Sequence, residues 1–391
     1  MKYLVAVMVV GLLVYAALTC TAAPPPAADK AEIGQEPQPQ KAKINRPVVE
    51  VVFVLDTTGS MGGLIQGAKE KIWSIANTIV AGEPKPTVRM GLVAYRDKGD
   101  EYVTKRFDLT DNIDKVYDEL MSYKADGGGD ENEDVNQALD DAINKLSWTR
   151  EKGVLRVIYL VGDFPPHNEY KDVPTYDKLA KQAIEKGIYI NTVLCGGQAG
   201  TEKVWREIAM AAEGKFLAIA QDGGVKNVDT PFDKELAAKN AELMKTVVLY
   251  GTRGRQAAAG AYNSAVASKA AAAPASGPAA DRATYVMNSG RVGEADLAEA
   301  VQKGKKLEDV SVDLLTDEMQ KQTKEEREAY VKKQLDTRDK INQEIKALSA
   351  KREAYIKDKL AKSPTSQPAG FDAKVNETVR EQGAKVNIQY K

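Results

Sequence analysis

Between Pro47 and Tyr250, short apolar runs of strand length alternate with longer amphipathic runs of helix length, and few folds accept that alternation. "VVEVVFVL" and "VLRVIYLV" are β-branched and apolar on successive residues, the pattern of strands buried on both faces. "VRMGLVAYRD", "IYINTVLC" and "KFLAIA" read as further strands. Among them stands "LIQGAKEKIWSIANTIV", a helix with Leu64, Ile65, Ile72, Ile75 and Ile79 on one side. "DNIDKVYDELMSY", "DVNQALDDAINKL", "TYDKLAKQAIEKG" and "TEKVWREIAMAAEG" read as helices too. "YVTKRFDLT" follows the turn-like "KGDE" and is predicted to return as a hairpin beside "VRMGLVAYRD". The whole predicts an α/β fold: a doubly wound, mostly parallel sheet with one antiparallel edge strand, followed by an α-helical extension.

The chain has 391 residues, more than one ordinary domain needs. Its 55 Lys and Arg against 56 Asp and Glu give no basic surplus, which argues against a nucleic-acid partner. Two cysteines, Cys20 and Cys195, build neither a disulfide framework nor a cysteine zinc site. A single histidine, His167, excludes sites that use several; beside two prolines it is expected to be a cap or rim residue.

Residues 1–23 carry Lys2, the apolar core Leu4 to Leu18 and small residues up to Ala23, the pattern of a secretory signal. Cys20 in "ALTC" offers a lipid-attachment alternative, with Thr19 a poor match before it. The protein is therefore expected to be exported, periplasmic or associated with the cell envelope. Membrane contact would come only through an N-terminal anchor or lipid. Residues 24–46 form a Pro/Gln-rich tether and 47–250 the α/β domain. Residues 251–282 are expected to be an Ala/Gly/Ser/Pro-rich linker, its early part open to helix. Residues 283–391 form a charged helical extension with a thin stripe of Val331, Leu335, Ile341, Ile345, Leu348 and Tyr355; a coiled coil is an open alternative there.

The chemistry concentrates in "DTTGSMGG". It follows the first strand, where the carboxyl ends of an open α/β sheet line the ligand crevice. Alternate side chains of extended backbone share one side, so Asp56, Thr58 and Ser60 can converge. One carboxylate and two hydroxyls are an all-oxygen set suited to Mg²⁺, Mn²⁺ or Ca²⁺ rather than zinc. "GGGDENEDV" and "YLVGDFPPH", both at strand–helix connections, offer Asp130 or Glu133 and Asp163 as further ligands. A bare helix cap is the bland alternative for the first loop, and helix N-terminal acids the alternative for the second. An EF-hand is excluded because Val135 stands where glycine is required, and a phosphate loop because Ala68 stands where lysine is required.

These motifs resemble the metal-ion-dependent adhesion site of the von Willebrand factor A (vWA) family, in a bacterial branch. Asp56, Thr58 and Ser60 match its first loop and Asp163 its third. The second loop departs, with "GGGDENED" in place of a threonine. Aligned from the glycines, Asp130 takes that place and is preferred; aligned back from "QAL", Glu133 does. The resemblance implies a metal-dependent protein-binding module, not an enzyme, that engages a protein or peptide through an acidic side chain. The added charge of the second loop would lower the appetite for such an acid. The rival readings are a metal-assisted phosphohydrolase, and a scaffold with a vestigial site that binds through its C-terminal helix.

Overall fold

The computed structural model describes residues 46–129, 131–198, 200–272, 277–362 and 370–390. The signal segment, nearly all of the tether, and Asp130 lie outside the described residues.

In chain order the sheet domain runs β1 (Val48–Asp56), α1 (Gly62–Val80), β2 (Thr87–Tyr95), β3 (Thr104–Thr110), α2 (Ile113–Ser122), α3 (Val135–Asn144) and β4 (Val154–Gly162). It continues through α4 (Tyr176–Glu185), β5 (Ile188–Cys195), α5 (Thr201–Ala211) and β6 (Phe216–Ile219). Six strands lie in the order β3-β2-β1-β4-β5-β6. Every neighbouring pair is parallel except β2 with β3, so the antiparallel strand sits at one edge as the hairpin pattern predicts.

The two-residue period of β1 divides it between two cores. Val49, Val51, Phe53 and Leu55 point to one face, where Ile72, Trp73, Ile75 and Ile79 of α1 cover them. Val52 and Val54 point to the other, against Val135, Leu139, Leu179, Trp205 and Ile208 of α3, α4 and α5.

The rest of the chain is α6 (Asp233–Met244), α7 (Arg253–Ala272), α8 (Gly277–Ser289), α9 (Leu297–Gln302), α10 (Asp317–Gln320), α11 (Lys324–Ala361) and α12 (Phe371–Gly383). The stretch 251–282, expected as a linker, is occupied by α7 and the start of α8. Alanine, read there as linker composition, is the strongest helix former, and Pro278 sits in the first turn of α8, where its missing N–H costs nothing. Helix α8 packs along α1, with Tyr285 against Trp73 at 5.5 Å between ring centroids. Arg282 fastens it further, its guanidinium donating to both Asp114 carboxylate oxygens at 2.6 and 2.7 Å.

Helix α11 is 38 residues long and opens with a capping box, Thr323 and Glu326 each bonding the other's backbone N–H. Its apolar stripe is covered by the chain itself: Ile341, Ile345 and Leu348 join Leu236, Leu243 and Val286 of α6 and α8, and Val331 joins Leu297 and Ala298 of α9. Two arginines, Arg338 buried and Arg352 partly so, add ties. Arg338 pairs with Asp296 at 2.6 Å, and Arg352 reaches Asp233 and Asp281 at 2.6 and 2.7 Å.

Helix α12 returns to the sheet. Phe371, Val375 and Val379 enter the same core as Phe53 and Tyr159. Phe371 N–H bonds Gly223 O at 2.9 Å, and the Tyr159 hydroxyl donates to Val375 O at 3.2 Å. The core of the α/β domain therefore extends past Tyr250 and is completed by residues 371–390.

Candidate metal centre

Three loops meet at the carboxyl end of the sheet. The first follows β1. Asp56 is fully buried, and its Oδ1 accepts the Thr58 N–H at 2.8 Å and the Thr58 hydroxyl at 2.7 Å. Those two bonds fold the loop back on its own carboxylate and bring Thr58 Oγ1 to 3.5 Å from Ser60 Oγ. Asp56 Oδ2 has no hydrogen-bond partner.

The third loop follows β4, the direct neighbour of β1, with Leu55 level with Val161. That register places Asp163 beside Asp56. Asp163 is 1% exposed; its Oδ2 accepts from Gln221 Nε2 at 2.8 Å, and its Oδ1 has no partner. Gly162 is the hinge. A Cβ there would stand 2.3 Å from the Tyr95 hydroxyl and 3.4 Å from Asp56 Oδ2, so only glycine lets the strands end this close together.

The second loop precedes α3. Glu133 is 2% exposed and its Oε2 has no partner. Its backbone bridges to the third loop: Glu133 N–H bonds Pro165 O at 3.4 Å, and His167 N–H bonds Glu133 O at 3.2 Å. Gly128, at φ +86°, passes between the first two loops. A Cβ on it would lie 3.4 Å from Thr58 Cβ and 3.7 Å from Glu133 Oε1, so the Thr58 and Glu133 side chains flank one point.

The electrostatics follow from the burial. Burial pushes the Asp56 carboxyl up to about 7, the Asp163 charge adding to it while the Thr58 bonds oppose it. Burial likewise pushes Glu133 up to about 9, with the charges of Asp56, Asp97, Asp100 and Asp163 adding. Unpartnered buried carboxylate oxygens are costly unless something positive or proton-bearing meets them. A hard divalent cation fits that demand, and the donors present are all oxygen. The acids do not form a finished cage: among the described residues no three acidic, imidazole or thiol side chains stand ready to hold one ion. Asp56, Asp163 and Glu133, with the Thr58 and Ser60 hydroxyls, are the groups that would hold it.

The family model described as von Willebrand factor A domain matches residues 50–230. Residues 50–230 form a vWA domain. A curated relative, an ariadne-like RING finger protein of Acanthamoeba polyphaga mimivirus, is 28% identical over 125 residues, which are 32% of this chain and 12% of that protein. Among solved structures, BatB from Bacteroides thetaiotaomicron is 20% identical, covering 44% of this chain and 90% of that one at a TM-score of 0.34. The SpRpn10 vWA domain is 15% identical, covering 46% and 91% at a TM-score of 0.35. vWA domains commonly serve protein–protein interaction.

The vWA domain thus gathers Asp56, Thr58, Ser60, Asp163 and Glu133 at one end of its sheet. Sequence reasoning missed three supporting residues. Gln221, after β6, bridges Asp163 and Ser60 O, the latter at 3.4 Å. Arg96 donates to Thr57 O at 3.2 Å and Lys124 O at 3.0 Å, pinning the first loop from behind. Gly162 carried a signal, since glycine before the third-loop aspartate is unexpected in so apolar a strand. Gln221 and Arg96 act through backbone carbonyls or distant loops and left no spacing to read. His167 stacks on Tyr170 at 4.5 Å, its Nδ1 2.6 Å from Glu169 Oε1 and its Nε2 3.1 Å from Asn132 O. It ties the second loop to the third.

Proposed function

We propose that the protein is a protein-binding module whose vWA domain engages its partner through a divalent cation, Mg²⁺ with Mn²⁺ or Ca²⁺ as alternatives. One observation carries this reading: Asp56 Oδ2, Asp163 Oδ1 and Glu133 Oε2 are buried at the loop end of the sheet without a hydrogen-bond partner. When bound, the cation supplies a coordination position for an oxygen of the partner. Asp56, Thr58, Ser60 and Asp163 hold it, with Glu133 or Asp130 from the second loop.

Binding rather than catalysis is favoured by His167. Its ring nitrogens are engaged by Glu169 and Asn132, so the imidazole ties the second loop to the third, and a phosphohydrolase would have to draw its base from Asp163. The scaffold reading loses ground because the apolar stripe of α11 is covered by α6, α8 and α9. The N-terminal segment supports export to the cell envelope. Among the described residues, no helix is long and apolar enough to cross a membrane.

The test is capture of envelope proteins on the immobilised full chain in Mg²⁺ and in chelator, beside the Asp56→Ala variant. A partner retained only by the unmutated chain and only in Mg²⁺ is the expected result. A partner retained equally in chelator overturns the reading.

A further inference from the structure

A second cluster of charge lies at the opposite end of the sheet, where β1 and β2 begin. There the end of α1, the entry to β2 and the end of α8 enclose a cavity of about 100 Å³. Arg46, Lys85, Tyr285, Ser289, Arg291 and Lys303 line it with hydrogen-bond donors, and Asp111 is the carboxylate in its wall.

Nearby carboxylates answer part of this charge. Arg291 donates to Asp111 at 3.0 Å and to Glu294 at 3.4 Å, and Lys303 donates to Glu299 at 2.5 Å. Lys85 gives one N–H to Asn288 O, and Arg46 has no partner among the described residues. Burial and the charge of Arg46 lower the Lys85 ammonium from its ordinary value, so these two like charges lie close enough to repel.

Two hydroxyls complete the lining. Tyr285 is 4% exposed, its ring packed on Trp73, yet its hydroxyl has no hydrogen-bond partner among the described residues. The Ser289 hydroxyl accepts the Arg291 N–H at 3.2 Å and keeps its own proton to donate. Complementing the carboxyl end of α8 accounts for Lys85, but not for Arg46 or the Tyr285 hydroxyl. A buried phenol without a partner is costly unless something accepts its proton. An oxyanion does so, and it also answers the positive charge that Arg46 and Lys85 leave over. Donors arriving from several separate segments suit a tetrahedral phosphate better than a planar carboxylate, and the guanidinium fork matches phosphate oxygens.

We propose that this cavity is a phosphate-binding site, which takes the phosphoryl group of a soluble phosphate ester or of an anionic lipid headgroup. Arg46, Lys85, Arg291 and Lys303 meet its charge, and the Tyr285 and Ser289 hydroxyls donate to its oxygens. The site stands apart from the loops at the other end of the sheet and does not depend on a cation there.

The experiment titrates inorganic phosphate into the full chain by calorimetry, in chelator and at fixed ionic strength. It is repeated with Tyr285→Phe, which keeps the core ring and removes only the hydroxyl. Saturable binding by the unmutated chain is expected, weakened about tenfold in Tyr285→Phe by the loss of one hydrogen bond to a charged group. Arg46→Gln alters an exposed, unpaired side chain, and should weaken binding without lowering the melting temperature. Sulfate should displace phosphate, and acetate should not. Vesicles of phosphatidylglycerol or phosphatidylcholine then read the source. Flotation with phosphatidylglycerol that phosphate competes away and Tyr285→Phe reduces marks a lipid headgroup; saturable phosphate binding without flotation marks a soluble ester. The absence of saturable phosphate binding, equal binding by the unmutated chain and both variants, or displacement by acetate as effective as by sulfate overturns the inference.

Discussion

Asn191 on β5 and Gln382 on α12 exchange two hydrogen bonds, Nδ2 to Oε1 at 3.0 Å and Nε2 to Oδ1 at 2.9 Å, in the buried interior between the sheet and the last helix. Each amide satisfies the other, and Asn191 Oδ1 also accepts the Lys215 N–H at 2.8 Å. Together with Phe371 and Val375 in the core, this pair makes α12 part of the packed core beneath the sheet rather than an appendage.

Removing that helix is therefore expected to unfold the domain. A chain ending at Tyr250 should show no cooperative urea transition, whereas residues 47–391 should unfold in one. Gln382→Ala takes the acceptor from the buried Asn191 Nδ2 and should cost about 1–3 kcal/mol in the same measurement. A stable, cooperative fragment 47–250 would show that α12 is dispensable.

The cation should stabilise the folded state. At a hundredfold excess over its dissociation constant, a ligand of the native state alone adds about 2.7 kcal/mol. Mg²⁺ is expected to raise the melting temperature of the full chain, and Asp56→Ala to abolish the rise. Glu133→Ala and Asp130→Ala separate the two second-loop candidates: the variant that loses more of the Mg²⁺ response marks the loop's ligand.

In chelator the domain should lose stability as pH rises. Asp56 releases its proton near 7 in the folded protein against 3.8 ordinarily, and Glu133 near 9 against 4.5. Between those limits the folded state binds more protons than the unfolded one, so stability falls with increasing pH and levels off above about pH 9. Mg²⁺ favours the deprotonated carboxylates and should flatten the decline. Melting curves from pH 5 to 9, with and without Mg²⁺, read this directly; a rise in stability over that range in chelator would contradict it.

Gly162→Ala should disrupt the site more than its volume suggests, because the new methyl group meets the Tyr95 hydroxyl at 2.3 Å. Tyr95→Phe removes that hydroxyl along with its bond to Val161 O. Each single change is expected to be destabilising. The double variant should be less so than the sum of the two, a coupling that a thermodynamic cycle measures.

The sheet and its first and third loops were legible in the sequence because each has a strong local signal. The apolar runs have strand length, and Asp56, Thr58 and Ser60 alternate along one stretch. Asp163 follows a glycine at a strand end. The second loop was harder to read: Glu133 is placed by backbone bonds to Pro165 and His167, thirty residues further on, which no spacing within "GGGDENED" encodes. The segment 251–282 was legible in part: its early part was open to helix, as α7 is, but alanine serves both flexible tethers and helices, and its composition carried no sign of the packing of α8 on α1. Helix α12 was invisible as part of the domain. Its partners Tyr159 and Asn191 look like ordinary strand residues, and their bonds reach across 216 and 191 positions, about half the chain.

That reach has a temporal consequence. Asn191 and Gln382 are 191 positions apart, so at about 5–20 residues per second the ribosome needs roughly 10–40 s to supply the second after the first. Throughout that interval Phe53, Tyr159 and Asn191 lack their cover, and the nascent vWA domain is held short of its native state. The sheet becomes competent to close only once α12 has been synthesised, so its vulnerability to aggregation is timed by synthesis rather than by the intrinsic speed of its folding.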